Sequence, residues 1–219
     1  MSELLFNELP RPTFRWLRVN HTVSSLAGED TAVQSIAVEA NKDILSPLPV
    51  GTALLDGNYE GANKEAVHVL VEKAEGYAIN VPPKAKEVVG IRIDANARVA
   101  NRFQFIVGEG AELEVQFYVT GSGDALTNVS YLNEYDVKEA GKVVVKKVNL
   151  LPEHVQHIEH RYTKLEEKAD VEYINIEIGG SENILNYYHD LVGQESRMVH
   201  DIAYLGNKEQ KFDISMVMS

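Results

Sequence analysis

The chain has 219 residues and a formal net charge of −12 at pH 7, from 33 acidic and 21 basic side chains. A negative field of this kind repels phosphate backbones, so we expect no nucleic acid among its partners. Apolar residues make up 44% of the chain, which is enough for a buried core. No apolar run reaches the about 18 residues that a membrane-spanning helix needs.

The chain contains no cysteine. Disulfides are therefore excluded, and so is thiolate ligation of zinc or of an iron–sulfur cluster by this chain alone. The first ten residues, MSELLFNELP, carry two glutamates and no basic start, so they lack the pattern of a secretory signal peptide. Together these features predict a cytoplasmic protein.

Basic and aromatic residues are concentrated near the N-terminus, in the segment PRPTFRWLRVNHT at residues 10–22. Its two prolines favour extended backbone, so the segment is either a short strand or an arm that lies on the domain. We expect Phe14 and Trp16, the only tryptophan, to anchor it. A cation–π contact on Trp16 is an alternative role for one of its arginines. These arginines are Arg11, Arg15 and Arg18.

The region before residue 88 has mixed patterns. Residues 27–43 fit either a short helix capped at Asp30 or Thr31, or a strand over VQSIAVEA. The following NKEAVHVLVEKAEG fits a helix that ends near Gly76, although AVHVLV is equally typical of a strand. The run YAINVPP predicts a short strand that ends at the two prolines, because proline cannot donate to a ladder.

From residue 88 onward, apolar and polar residues alternate, which indicates β-strands. The run VVGIRIDA places Val89, Ile91 and Ile93 on one face. Later strands each follow a polar turn and a small residue, at spacings of 30, 28 and 27; these residues are Ala111, Gly141, Ala169 and Ser196. Such a period predicts a β-solenoid in which each coil buries its face on the next. A β-sandwich, which also has evenly spaced strands, stays the alternative.

Three histidines in HVQHIEH, His154, His157 and His160, are candidate metal ligands, with Glu153 or Glu159 completing a site. On a strand, however, His154 and His160 share one face while His157 points to the other. We therefore expect a hydrogen-bonded or solvated histidine group, and we predict no metal site.

Two further histidines, His189 and His200, are each followed by aspartate, a pairing that could suggest acid–base chemistry. Neighbouring side chains on a strand point to opposite faces, so we expect no such pair. Three strand arginines are expected to face solvent, since an inward arginine needs a buried acidic partner. These are Arg92, Arg98 and Arg102.

Two glycine-rich segments, GEGAE and GSGD at residues 121–124, resemble phosphate-binding loops only in their glycines. Both lack the lysine and the serine or threonine that such a loop needs, so we predict strand connections. Hydrolase motifs such as Gly-x-Ser-x-Gly and HExxH do not occur in the sequence. We predict no catalytic residue and no enzymatic activity.

Four segments, in order along nearly the whole chain, resemble the SufB/SufD family of scaffold proteins in SUF-type iron–sulfur cluster assembly. The first holds RWLRVN within residues 10–22, and the last resembles that family's LGdgeQxxDxxtxxxH stretch. One departure is Ala85, at a position where the family usually has glycine. The other three segments are AINVPPKAKEVVGIRID (78–94), FIVGEGAELEVQFYVTG (105–121) and AYLGNKEQKFDISMVMS (203–219).

The alternation that begins at residue 88 predicts a mainly all-β core over residues 88–219, after a small α/β or irregular region over residues 1–87. The resemblance implies that this core is a right-handed parallel β-helix. It also implies a non-catalytic scaffold that acts with an ABC-type ATPase, as a homodimer or with a SufB/SufD-like partner. The iron–sulfur cluster would be transient and held by the assembled complex, with no cofactor bound by this chain itself.

The family's core continues beyond the QxxD strand into further coils and a helical part, which carry the positions implicated in cluster assembly and the ATPase-docking helices. The sequence ends at Ser219, so we expect that part to be missing and the strand FDISMVMS to form an open edge that invites another chain. A carbohydrate-active enzyme on a β-helix and a plain β-sandwich binding module remain the alternative functions.

Overall fold

The computed structural model describes residues 3–8, 22–25, 36–52, 64–207 and 209–219. The N-terminal region holds one helix, α1, and four short strands, of which β1 and β2 form a separate antiparallel pair. Their bounds are β1 Glu3–Phe6, β2 Thr22–Ser25, β3 Ile36–Glu39, β4 Leu45–Leu48 and α1 Lys64–Lys73. Both ambiguous segments of this region are resolved: IAVE of VQSIAVEA is a strand, and KEAVHVLVEK is a helix.

Eleven longer strands follow in two stacked sheets of parallel strands. Sheet B contains β6 (Lys86–Ala95), β8 (Glu112–Gly121), β10 (Lys142–Asn149), β12 (Asp170–Glu177) and β14 (Arg197–Tyr204). Sheet C contains β5 (Gly76–Val81), β7 (Val99–Val107), β9 (Asn128–Val137), β11 (Gln156–Leu165), β13 (Glu182–Leu191) and β15 (Lys211–Met218). The strands β3 and β4 pair antiparallel with β6 and β5, at the first edges of the two sheets.

The chain alternates between the two sheets and climbs by one strand spacing per turn, so the fold is a β-solenoid of about five turns. In sheet B, Glu112 pairs with Lys142, Lys142 with Asp170, and Asp170 with Arg197, which reproduces the 30, 28 and 27 spacing of the sequence. The predicted solenoid is confirmed and the β-sandwich alternative is wrong, because successive strands of each sheet run parallel. The division at residues 87 and 88 stays a prediction.

The interior of the solenoid changes character along its axis. In the first turns it is apolar and includes the predicted face of Val89, Ile91 and Ile93. In the later turns polar and charged side chains take the inward positions, as Lys147 and Glu159 do on β10 and β11. Since buried polar groups need partners, this half of the interior is where a functional site is to be sought.

The outer faces of the two sheets differ. The outer face of sheet C is covered: Phe6 of β1 packs on Ile158 and Ile184, and α1 packs on Leu132. The outer face of sheet B carries exposed side chains along every parallel strand, including Val88. Sheet C is thus buried on both faces, whereas sheet B keeps one face toward solvent.

The glycine-rich segments are strand connections, as predicted. Gly108 and Gly110 lie in the turn from β7 to β8, and Gly110 has a φ of +61°. A Cβ on Gly108 would lie 2.6 Å from the backbone nitrogen of Pro83, so this turn stacks closely on the turn below it. A search of the described helices found none long and apolar enough to cross a membrane.

Candidate functional site

A cluster of four charged side chains lies inside the solenoid, between β10, β11 and β12. We call it the interior charge cluster; its members are Lys147, Glu159, Arg161 and Glu177. Each occupies an alternate, inward position of its strand and is at most 2% exposed. Two cations and two carboxylates meet here, so formal charges balance within a region that excludes solvent.

Glu159 is the centre of the interior charge cluster. Arg161 donates to its Oε1 from Nη2 at 2.6 Å and from Nε at 3.1 Å, and Lys147 Nζ donates to its Oε2. The same Lys147 Nζ lies 2.5 Å from Glu177 Oε1, so one ammonium bridges the two carboxylates. Asn133 Nδ2 adds a further donor to Glu159 at 3.1 Å.

The two carboxylates have opposite pKa shifts. Burial alone would raise the pKa of Glu159, but the adjacent Arg161 and Lys147 outweigh burial and lower it. For Glu177 burial dominates and raises the pKa, since Lys147 is shared and Glu159 adds negative charge. A pair of carboxyl groups with pKa values pushed apart is typical of sites that hold or exchange a proton.

Tyrosine rings enclose the guanidinium of Arg161. Its Cζ lies 4.3 Å from the ring centroid of Tyr173 and 4.5 Å from that of Tyr187. Tyr187 also donates from its hydroxyl to Glu159 Oε2 at 3.3 Å. The pKa of Arg161 is raised despite its burial, because Glu159 and these tyrosines favour the charged form.

His157 adjoins the interior charge cluster but carries no charge. Burial, with Lys147 nearby, lowers its pKa to about 3. Its Nε2 lies 3.0 Å from the hydroxyl oxygen of Tyr131, and its Nδ1 lies 3.1 Å from Asn183 Oδ1. The neutral ring therefore joins the charged groups to the asparagines of the neighbouring coil.

A line of polar contacts leads from the interior charge cluster toward the last coil. Asn175 Nδ2 donates to the Tyr187 hydroxyl at 3.5 Å and lies 2.8 Å from His200 Nε2 on β14. The ring centroids of His200 and His189 are 5.8 Å apart. Burial, together with Arg161, lowers the pKa of His189 to about 3 and that of His200 to about 2.

The sequence correctly predicted that His189 and His200 point to the opposite face from the aspartate that follows each of them. It did not predict that the two histidines approach each other. His189 and His200 both point inward and approach each other, whereas their neighbours Asp190 and Asp201 point outward as predicted. No sequence signal joins residues on β13 and β14 except the coil period itself. The two imidazoles form a histidine pair, and no His–Asp acid–base pair forms.

The HVQHIEH histidines lie in three different places. His154 is exposed in the turn before β11, His157 points into the interior, and His160 points outward, where its ring lies 6.4 Å from that of Phe6. Burial lowers the pKa of His160 to about 4. Within the described residues, no group of three or more His, Asp or Glu side chains is placed to hold a metal ion.

The prediction that the three strand arginines face solvent is correct for one of them and wrong for another. Arg92 is exposed and pairs with Asp94 at 3.3 Å, while Arg98 is half-buried. Arg102 is fully buried and lies 3.8 Å from Glu134. Sequence alternation placed it outward correctly, but the N-terminal region covers that face, and Arg102 Nη1 donates to the Val71 carbonyl at 2.9 Å.

Some residues that the sequence singled out lie outside the described structure, and some residues of the site were not singled out by the sequence. Arg11, Arg15, Trp16 and Arg18 lie outside the described residues, so the arm prediction is not tested. Sequence reasoning did not single out Lys147, Arg161 and Glu177. Their signal is a charged residue at an inward position of a strand, which becomes visible only once the coil register is known.

The fold and the site define a class of protein: a parallel β-solenoid that buries a cluster of four charged side chains in its interior. The sequence contains no thiol. Comparison with protein families narrows this class. The family described as "SUF system FeS cluster assembly, SufBD core domain" matches residues 91–219, more than half of the chain. The chain belongs to the SufB/SufD family, and its role lies in SUF iron–sulfur cluster assembly. Searches of curated proteins and of solved structures returned no match.

Proposed function

We propose that this chain is a non-catalytic, cytoplasmic scaffold of SUF iron–sulfur cluster assembly, with the cluster as cargo of the assembled complex. The observation that carries the proposal is the match of residues 91–219 to the SufBD core domain, on a parallel β-solenoid. Residues 1–219 contain no cysteine, so any thiolate ligand for a cluster comes from outside these residues.

The coil of β14 and β15 is the last coil that the structure describes, and we call it the open coil. We assign its edge to a second SufB/SufD-like chain, which is either another copy or a related partner. Within the described residues, β14 and β15 are the terminal members of their sheets, so each presents one row of backbone groups without a strand partner in this part of the chain. The inward side chains of this coil stay partly exposed, and Tyr204 with Met218 are among the most exposed apolar residues of the described chain. Strand pairing would satisfy the backbone and cover these side chains.

An ABC-type ATPase is the second partner that we propose. The support is the family membership together with the sequence itself, because neither glycine-rich segment has the residues of a nucleotide-binding loop. In this proposal the separate ATPase subunit supplies the energy of ATP hydrolysis.

A carbohydrate-active enzyme, the alternative function, is disfavoured by where the carboxylates lie. Such enzymes need a pair of acidic residues that reach a bound sugar. The carboxylate pair that Lys147 bridges inside the solenoid, Glu159 and Glu177, is fully buried and cannot touch a polysaccharide. We propose no catalytic residue in this chain.

Co-purification with the host's SUF-type ABC ATPase tests the proposal, using this chain and any longer native form in parallel. Retention by both supports the scaffold function and places the docking surface within residues 1–219. Retention by the longer form alone supports the scaffold function, with this chain as a core fragment. Retention by neither contradicts the proposed partnership, while the solenoid fold and the family membership stand.

A further inference from the structure

A band of apolar side chains crosses the exposed outer face of sheet B, near the carboxyl ends of its strands. We propose that this apolar band docks a short amphipathic helix with a basic flank, contributed by a partner protein. The inference goes beyond the proposed scaffold function, since the band lies on a sheet face and not at the open coil. Its members are Tyr118, Val148, Leu150, Ile176, Ile178 and Leu205.

Two rows make up the apolar band. Tyr118, Val148 and Ile176 are direct neighbours on three adjacent strands. The second row lies two residues further along each chain segment and consists of Leu150, Ile178 and Leu205. The backbone amide of each of these residues donates to the preceding coil. Apart from the half-buried Val148, these side chains are 38–65% exposed.

The other half of the same face contrasts with the apolar band. Near the amino ends of the strands, a ladder of alternating charge crosses the sheet, and Lys86 pairs with Glu112 at 2.8 Å. These charges neutralise one another and are well solvated. The ladder is Lys86, Glu112, Lys142, Asp170 and Arg197. The face is therefore divided into a solvated half and an apolar half, and only the apolar half gains from being covered.

The dimensions of the apolar band favour a helix over a second copy of the chain. Four strands at about 4.8 Å spacing make it about 14 Å long, which matches a ten-residue helix of about 15 Å. Two rows leave a width suited to one apolar helical stripe. The exposed apolar area is on the order of 400 Å², whereas a stable dimer needs about 800 Å² from each partner.

Charge complementarity specifies the flank of the docked helix. Exposed Asp124 and Glu153 lie in the loops that follow β8 and β10, the strands that carry Tyr118 and Val148 of the apolar band. On its other side, one row of the sheet carries exposed Asp201 and exposed Lys146. Lys146 is paired with Glu114 at 3.0 Å, so its charge is compensated. With a net charge of −12 on the whole chain, lysine or arginine beside the apolar stripe is the matching partner chemistry.

The test uses methyl NMR of the full chain with a synthetic 14-residue helical peptide that carries leucines on one face and lysines along one flank. We expect saturable shifts of the Leu150, Ile176, Ile178 and Leu205 methyls and none at Val88, an exposed apolar residue at the charged end of the same face. Ile176→Asp should weaken binding about tenfold, whereas Val88→Asp, the matched control, should not.

Two control peptides sharpen the outcome. A scrambled peptide of the same composition should not bind, and exchange of its lysines for glutamates should weaken binding at least about tenfold at low salt. Equal binding of all three peptides, shifts outside the apolar band, or no shift would each overturn the proposal. Shifts of the same methyls with protein concentration, before peptide is added, would show that a second copy covers the band and would also overturn it.

Discussion

Arg161 and Glu159 lie two residues apart on one strand, so both point into the solenoid, and the guanidinium Nη2 meets the carboxylate at 2.6 Å. This pair lies at the middle of a charge-balanced cluster that no solvent reaches. A buried pair of this kind is costly to break, because the remaining charge cannot be hydrated.

Replacement of Arg161 by methionine should lower the free energy of unfolding by about 3–5 kcal/mol, since Glu159 then keeps only Lys147 as a cationic partner. Urea denaturation followed by circular dichroism measures this change. The matched control is Arg92→Met, which removes an exposed arginine that lies over Tyr118 at 5.4 Å. The control should cost less than about 1 kcal/mol, and equal losses in the two variants would contradict the role of the cluster.

Acid should destabilise the fold through its buried histidines. Burial lowers the pKa of His157 and His189 to about 3 and that of His160 to about 4, below the ordinary 6.5. Below pH 6.5 the unfolded chain therefore binds more protons than the folded chain, and stability falls as pH drops toward 4. Each histidine contributes a slope of about 1.4 kcal/mol per pH unit in this window.

Unfolding free energies at pH 7.5, 6.0 and 5.0 test the histidine effect. His160→Phe keeps a ring beside Phe6 and should remove one histidine's share of the slope relative to the parent protein. Glu177 acts in the opposite direction, because its raised pKa favours the folded state at low pH. The decisive quantity is therefore the difference between the parent protein and His160→Phe in how the unfolding free energy changes with pH. An unchanged slope in His160→Phe would refute the prediction.

The stacking of turns makes a second stability prediction. Gly108→Ala should cost about 2 kcal/mol or more, because the new Cβ would lie 2.6 Å from the Pro83 backbone nitrogen. Gly90→Ala is the matched control, since its nearest atom would be the Glu39 Cβ at 3.5 Å, an ordinary contact. Thermal unfolding should show a lower Tm for Gly108→Ala only. A neutral Gly108→Ala would mean that the turns are free to separate.

The open edge can be tested without disturbing the solenoid. The amides of Lys211 and Ser219 donate to the neighbouring coil, and amides alternate in direction along a parallel strand, so the amide of Ile214 faces the free edge. Ile214→Pro should abolish pairing with a second chain while leaving most of the internal ladder intact. Sedimentation analysis should give a dimer for the parent and a monomer for the variant. A dimer that survives Ile214→Pro would place its interface elsewhere.

Much of the solenoid could be predicted because its regularity is local. Alternation placed Val89, Ile91 and Ile93 inward, and the 27–30-residue spacing set which strands become neighbours. The helix α1 was undecided, since the run AVHVLV satisfies both periods and only its packing on Leu132 of sheet C selects the helix.

The site was harder to predict than the fold. The motif-like features, such as the three histidines of HVQHIEH, are scattered to a turn, the interior and the covered outer face. The charges that do meet, Lys147, Glu159 and Glu177, are 12 and 18 residues apart along the chain and belong to no motif. Arg102 could not be fully predicted either. Alternation shows that its side chain points to the outer face of sheet C, but it does not show that the N-terminal region covers that face.

The sequence by itself determined the exclusion of thiol chemistry, the acidic surface, the strand faces and the coil period, because composition and alternation act residue by residue. Only the tertiary structure decided which charges are buried together, that His189 meets His200, and that one sheet is covered on both faces. These outcomes depend on stacking register and on contacts between distant segments, and a one-residue change of register would exchange the inward and outward side chains.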